Sequence, residues 1–155
     1  MTTILNLIIA TGFIAILYGY FTGKQILLSS PGNAKMQEIA EAIQVGAKAY
    51  LNRQYKTIAV VGIIVLFIVT FYLGIWVGLG YFIGAFLSAV AGYIGMLVSV
   101  QANVRTAEAS RKGLSEGLTI GFKSGAVTGL LVAGLALLSI SIYYFLLTKL
   151  EIEER

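Results

Sequence analysis

Side chains able to act as acids, bases, nucleophiles or metal ligands are few in this 155-residue chain. Its seven carboxylates are all glutamates: Glu38, Glu41, Glu108, Glu116, Glu151, Glu153 and Glu154. Histidine, cysteine and aspartate are absent, which removes imidazole acid–base chemistry, thiol nucleophiles, disulfides and zinc sites built on Cys or His. A magnesium–phosphate site is usually assembled from several clustered carboxylates, because Mg2+ is a hard cation. Here Glu38 and Glu41 are far along the chain from Glu108 and Glu116, so these residues cannot complete such a site. The stretch "GNAK", Gly32 to Lys35, lacks the spacing of a phosphate-cradling loop. The expectation is that no catalytic, cofactor-binding or metal-binding residue lies in this chain.

The remaining polar groups sit inside long apolar runs: Asn6, Thr11, Thr70, Ser88, Ser99, Thr128, Ser139 and Ser141. Hydroxyls in such runs mostly bond a backbone carbonyl or a neighbouring helix, so they are read as packing groups. Ionisable residues within the membrane mark ion paths and proton relays, and these runs contain none. That excludes a rotor ring of the ATP synthase type, which needs a carboxylate at mid-membrane.

The elements that carry these residues follow from composition. With 58% hydrophobic and 12% charged residues and a mean hydropathy of +0.89, this is an all-α integral membrane protein. A span needs about 20 apolar residues to cross roughly 30 Å of hydrocarbon. Four segments qualify within a single transmembrane region, residues 1–155, at about 4–22, 57–77, 81–101 and 125–148. The first lacks the basic flank of a cleavable signal peptide. The turn between spans two and three is expected at Gly78 to Gly80.

Charge sets the orientation. Lys24, Lys35, Lys48, Arg53 and Lys56 fall in the loop 24–56, and Arg105, Arg111, Lys112 and Lys123 in the loop 102–123. The net charge of +4 is thus a topology signal and not a nucleic-acid footprint. By the positive-inside bias both loops are cytoplasmic, and the N-terminus and the tail from Lys149 to Arg155 are external in a multi-pass protein of the cell membrane.

Before span two, Met36, Ile39, Ala40, Ile43, Ala47, Tyr50 and Leu51 recur at helical spacing, predicting an amphipathic cytoplasmic helix over about 33–56. Asn33 is its N-cap. Without a Gly or Pro break before Thr57, it continues into span two as one helix of about 40 residues, roughly 60 Å long. Its Ala- and Ile-rich stripe suits packing on other cytoplasmic helices better than lying on lipid.

Glycine recurs at every fourth position through Gly113, Gly117, Gly121, Gly125 and Gly129, followed by Ala133. In water each would cost a helix about 0.8–1.0 kcal/mol relative to alanine. Between helices in lipid, small residues instead let backbones approach, so this ladder predicts a groove suited to a right-handed crossing. Span three repeats the device at Gly80, Gly84, Ser88 and Gly92. Helix four, like helix two, is expected to extend past the headgroups.

Two strings carry a specific resemblance. "MQEIAEAIQVGAKAYLNRQYKTIAVVG", Met36 to Gly62, and "ANVRTAEASRKGLSEGLTIGFKSGAVTGLLVAGLALL", Ala102 to Leu138, resemble the region from the second to the fourth helix of membrane-bound, ion-translocating pyrophosphatases. The resemblance implies a homodimeric pump that hydrolyses pyrophosphate with Mg2+ and drives H+ or Na+ across the membrane. It implies a bundle of about 16 spans of roughly 20 residues each, with an outer ring that includes the first four helices around an inner ring bearing the site. The family's Asp-rich segment for magnesium pyrophosphate begins one helix further on, so no family catalytic residue can be placed on this sequence. The chain is then expected to be an N-terminal scaffold segment that leans on the remaining helices of the pump. The alternatives are a complete four-span scaffold or partner subunit without enzymatic activity, and, less in keeping with its uncharged spans, a small oligomeric exporter.

Overall fold

The computed structural model describes residues 2–150, and the expectations for the acidic tail Glu151, Glu153, Glu154 and Arg155 lie outside them. Four helices make up nearly all of that length: α1 (Thr2–Leu28), α2 (Ala34–Leu73), α3 (Ile75–Ser110) and α4 (Leu114–Lys149). Each is long and apolar enough to cross a membrane. Because every backbone polar group in lipid must be satisfied within its own segment, this all-α arrangement suits such apolar runs.

The connections are short, and each has a local cause. Asn33 takes an extended conformation and its Oδ1 accepts the Met36 N–H at 2.9 Å, so α2 starts where the sequence placed its N-cap. α2 then runs unbroken for 40 residues through the amphipathic segment and the apolar run. It ends at Gly74, not at Gly78 to Gly80 as expected. Gly74 has φ of +92°, a backbone that L side chains rarely adopt, and its N–H caps Thr70 O at 3.1 Å. Gly78 and Gly80 lie inside α3. At Gly78 the missing Cβ leaves room for Thr70 Oγ1, letting the start of α3 close onto the end of α2.

The segments read as loops are mostly helix. α3 continues to Ser110 and α4 starts at Leu114, so only Arg111 to Gly113 turn the chain. α3 therefore outruns its apolar core, as α2 and α4 do. The three antiparallel extensions bring the basic residues to one end of the bundle, called here the basic end.

α4 is the central helix. It packs against α1 on one side and α3 on the other, α1 touches α3 lightly, and α2 packs on α3 alone. None of the most apolar 18-residue window of α2 is buried, which makes α2 the peripheral member. Ile26 of α1, Ala102 of α3 and Val127 of α4 form the buried junction, with Val98, Ile120 and Leu131 packed around it.

Close approach occurs at some glycines of the expected ladders, Gly80, Gly92 and Gly117 among them, and also at glycines outside them. A Cβ on Gly134 would stand 2.9 Å from Gly12 O, and one on Gly12 would stand 3.1 Å from Gly134 O, so α1 and α4 cross glycine on glycine. Gly95 of α3 makes room for Thr128 of α4, and Gly92 for the Tyr55 hydroxyl of α2. Gly125 and Gly129, the middle of the ladder, have nothing within 4 Å of where a Cβ would be. Nearer the basic end the ladder does meet α3, since Gly117 is buried and leaves room for Ser110 and a Cβ on Gly121 would lie 3.6 Å from Thr106 Cγ2: spacing shows that one side is smooth, not which part of it a neighbour meets.

The amphipathic stripe of α2 is only partly covered. Ala40 and Leu51 are buried, whereas Ile39, Ile43 and Tyr50 are exposed. The covered half packs on the extension of α3, and the other half remains open among the described residues.

Candidate functional site

The charged chemistry gathers at the basic end, directly beyond the Ile26–Ala102–Val127 junction. Arg105 lies one turn past Ala102 on α3. Its Nη1 donates to Gln101 O at 2.7 Å and its Nη2 to Leu27 O, across 78 positions of sequence, at 3.0 Å. The second bond places a cation on the unsatisfied carbonyls that end α1, where the helix dipole is negative. Arg105 Nε is buried and has no hydrogen-bond partner. A buried donor left this way costs about 1–3 kcal/mol.

Around Arg105 a cleft of about 570 Å³ opens between Ser29 and Ser30 at the exit of α1, the end of α3, and the first turns of α4. Glu108 on its wall accepts from Arg111 at 3.1 Å, and Glu116 sits in the first turn of α4 against Gly113. The other ion pair, Lys35 to Glu38 at 2.9 Å, lies on the exposed start of α2. Both pairs are solvent-facing on at least one side, and such pairs contribute about 0–1 kcal/mol.

The polar groups of the apolar runs scatter across the bundle and converge on no centre. Thr11 Oγ1 donates to Leu7 O at 2.8 Å within its own helix. Ser141 is buried, and Thr128 Oγ1 is buried against Gly95 with no partner. Ser88 and Ser139 line a cavity of about 180 Å³ between α3 and α4. Tyrosine hydroxyls tie helices together instead: Tyr93 donates to Asn52 Oδ1 at 3.2 Å, Tyr81 to Gly62 O at 3.4 Å, and Tyr143 to Trp76 O.

Among the described residues no three acidic or metal-ligating side chains come together. Glu38 and Glu41 stand at the start of α2, Glu108 at the end of α3 and Glu116 at the start of α4. Each pair includes too few convergent oxygens for a Mg2+ site, so this donor set does not fit the metal that the family resemblance implies. In the sequence Arg105 is only one of the charges that set the topology. Nothing in the local pattern pairs it with Leu27, because that contact exists only once α1 and α3 end side by side.

Fold and charge distribution thus define a polytopic helical membrane protein whose spans carry no ionisable group among the described residues. Comparison with known proteins specifies the family. The family described as inorganic H+ pyrophosphatase matches residues 13–155, and the chain belongs to it. A K(+)-insensitive pyrophosphate-energized proton pump from Methanosarcina mazei is 50% identical over 54 residues, 35% of this chain and 8% of that protein. Proteins of the same name from Pyrobaculum aerophilum and Caldanaerobacter subterraneus subsp. tengcongensis are 43% identical over 54 residues and 57% over 42 residues. The first match covers 35% of this chain and 8% of the relative, and the second 27% and 6%. The aligned stretches are a small fraction of the relatives' length.

Proposed function

We propose that this chain forms the first four membrane helices of a pyrophosphate-energised ion pump, in the outer ring of its bundle. The observation that carries the reading is the family match over residues 13–155. In this reading the four helices do no chemistry. They form a wall of fixed geometry, and the hydrolytic site and ion gate reside on helices beyond this segment, where Mg2+ would bind the substrate. The absence of aspartate from the sequence and the scattered glutamates support that division of labour.

The transported ion is taken to be H+, on the printed names of the relatives, and insensitivity to K+ is carried over on the same basis. The pump is proposed to be a homodimer, with the basic end of this segment cytoplasmic and its N-terminus external. The scaffold needs tight packing without internal charge, which the Gly12–Gly134 crossing and the tyrosine-to-carbonyl ties supply.

The test is expression of the full gene product in inverted membrane vesicles. Mg2+-dependent pyrophosphate hydrolysis with acidification of the vesicle interior, unaffected by K+, is expected. A folded product that neither hydrolyses pyrophosphate nor acidifies the vesicles refutes the reading. Hydrolysis coupled to Na+ uptake without acidification refutes only the choice of ion.

A further inference from the structure

The half of the α2 stripe that α3 leaves open has a regular pattern. Ile39, Ile43, Gly46 and Tyr50 are separated by four, three and four positions, the spacing of a coiled-coil seam. Ile39, Ile43 and Tyr50 are 52%, 51% and 61% exposed, and α2 packs on α3 alone. Six charged residues between Lys35 and Lys56 keep this part of α2 out of hydrocarbon. An apolar stripe in lipid needs no partner, whereas one facing water marks an interaction site.

Gly46 sharpens the pattern. In the aqueous part of a helix a glycine costs about 1 kcal/mol relative to alanine. Nothing lies within 4 Å of where its Cβ would be, so no element among the described residues uses the space. Between Ile43 and Tyr50 the missing side chain leaves a notch, a hole of the kind that a bulky apolar side chain on a facing helix fills.

Lipid does not reach the seam. At 1.5 Å per residue Tyr50 lies about 10 Å and Ile39 about 27 Å before Thr57, where the apolar run begins, and the headgroup layer is only about 5–7 Å thick. α2 is unbroken through this region, so its extension does not fold back onto the bilayer. A second copy fits poorly. Two copies in one membrane share an orientation, so a two-fold pair of these seams would be parallel. It would set Gly46 against Gly46, leaving a void, and Arg53, which continues the spacing, against Arg53. The rest of the pump is the remaining source. The matched 54 residues are only 8% of the Methanosarcina mazei relative, and α4 leaves the membrane at the end opposite the seam. We propose that a helix from beyond residue 155 of the same pump, returning to the basic end, docks on Ile39, Ile43 and Tyr50 with a branched or aromatic side chain seated at Gly46. This docking rests on the reading of the chain as the start of a pyrophosphate-energised pump.

The full gene product, with p-benzoylphenylalanine in place of Ile43, is irradiated in its membranes, and its cross-linked peptides are mapped by mass spectrometry. Pyrophosphate hydrolysis is measured on the same membranes beforehand. The expected result is a cross-link within one polypeptide, to a helix beyond residue 155. Per molecule recovered from the membrane, Gly46→Leu should reduce it at least fivefold, because the new side chain fills the notch while meeting nothing within this segment. Val45→Leu, exposed but off the seam, should leave it in place. Cross-links chiefly to lipid, to a second copy or to a different protein, no cross-link at all, or one that Gly46→Leu does not change, overturn the proposal. Any of these in membranes that hydrolyse pyrophosphate overturns the docking alone. The expected cross-link in membranes that do not hydrolyse it overturns the pump reading and leaves the docking standing.

Discussion

Replacing Gly134 with alanine tests the central packing claim, that α1 and α4 are held by a glycine-on-glycine crossing. The new Cβ would stand 2.9 Å from both Gly12 O and Ile16 Cγ1 and 3.3 Å from Ala15 Cβ. Gly12 O is backbone, so it cannot rotate away, and the helices must separate by about 0.5–1 Å to restore ordinary contact near 3.5 Å. A gap of that size forfeits a quarter to a half of each atom-pair attraction of about 0.1–0.2 kcal/mol, over roughly twenty pairs at the crossing. The loss is about 1 kcal/mol, at the lower end of the 1–3 kcal/mol measured for overpacking. Gly129→Ala is the matched control. Nothing lies within 4 Å of its Cβ position, so only the gain in helix propensity, up to about 1 kcal/mol, applies. Gly134→Ala gains the same propensity, so equilibrium unfolding in mixed micelles, titrated with SDS and read by circular dichroism, should rank Gly134→Ala below Gly129→Ala by the packing loss alone, about 1 kcal/mol. Equal stabilities, or the reverse order, would refute the crossing.

Three further outcomes follow from the same geometry. The natural sequence has no cysteine, and a Cβ on Gly19 would lie 3.8 Å from Leu130 Cβ, the mean separation in disulfides. The pair Gly19→Cys with Leu130→Cys should therefore oxidise to a cross-link visible as a gel shift after proteolysis between the helices, while Gly125→Cys paired with Gly19→Cys should not. Gly74→Ala forces a side chain into φ of +92° and should cost about 1–3 kcal/mol; an unchanged SDS midpoint would show that the α2–α3 turn lies elsewhere. Asn33→Ala removes the 2.9 Å cap on Met36 N–H and should cost about 0.5–2 kcal/mol, with faster amide exchange confined to the first turn of α2.

Sequence alone was sufficient for whatever depends on one helix and its solvent. The apolar runs, the N-cap at Asn33 and the continuity of α2 are local consequences of composition and spacing. The turn before α3 was misplaced for an equally local reason. Gly74, Gly78 and Gly80 are chemically the same, and only the backbone shows which of them takes positive φ while another admits the Thr70 side chain. The extents of the loops were overstated because charged residues end a span without ending a helix. Arg111 and Lys112 stand at the turn, but Arg105 and Lys123 lie within helices.

Contacts between helices were not legible, and the glycine ladder shows why. A smooth face is available to any neighbour, so which face is used depends on how the other helices are placed. The single-residue link at Gly74 and the short turn at Arg111 to Gly113 force α2 beside α3 and α3 beside α4. The long-range choice is α1, which settles on α4 through Gly12 and Gly134. Once α1 and α3 both occupy flanks of α4, the face bearing Gly125 and Gly129 is the one left over. The same placement brings the end of α1 to Arg105 and so creates the cleft. Thus the open Gly125–Gly129 stretch and the buried guanidinium have one cause: α1 docks on α4 through the face that carries Gly134 and not through the one that carries Gly125 and Gly129.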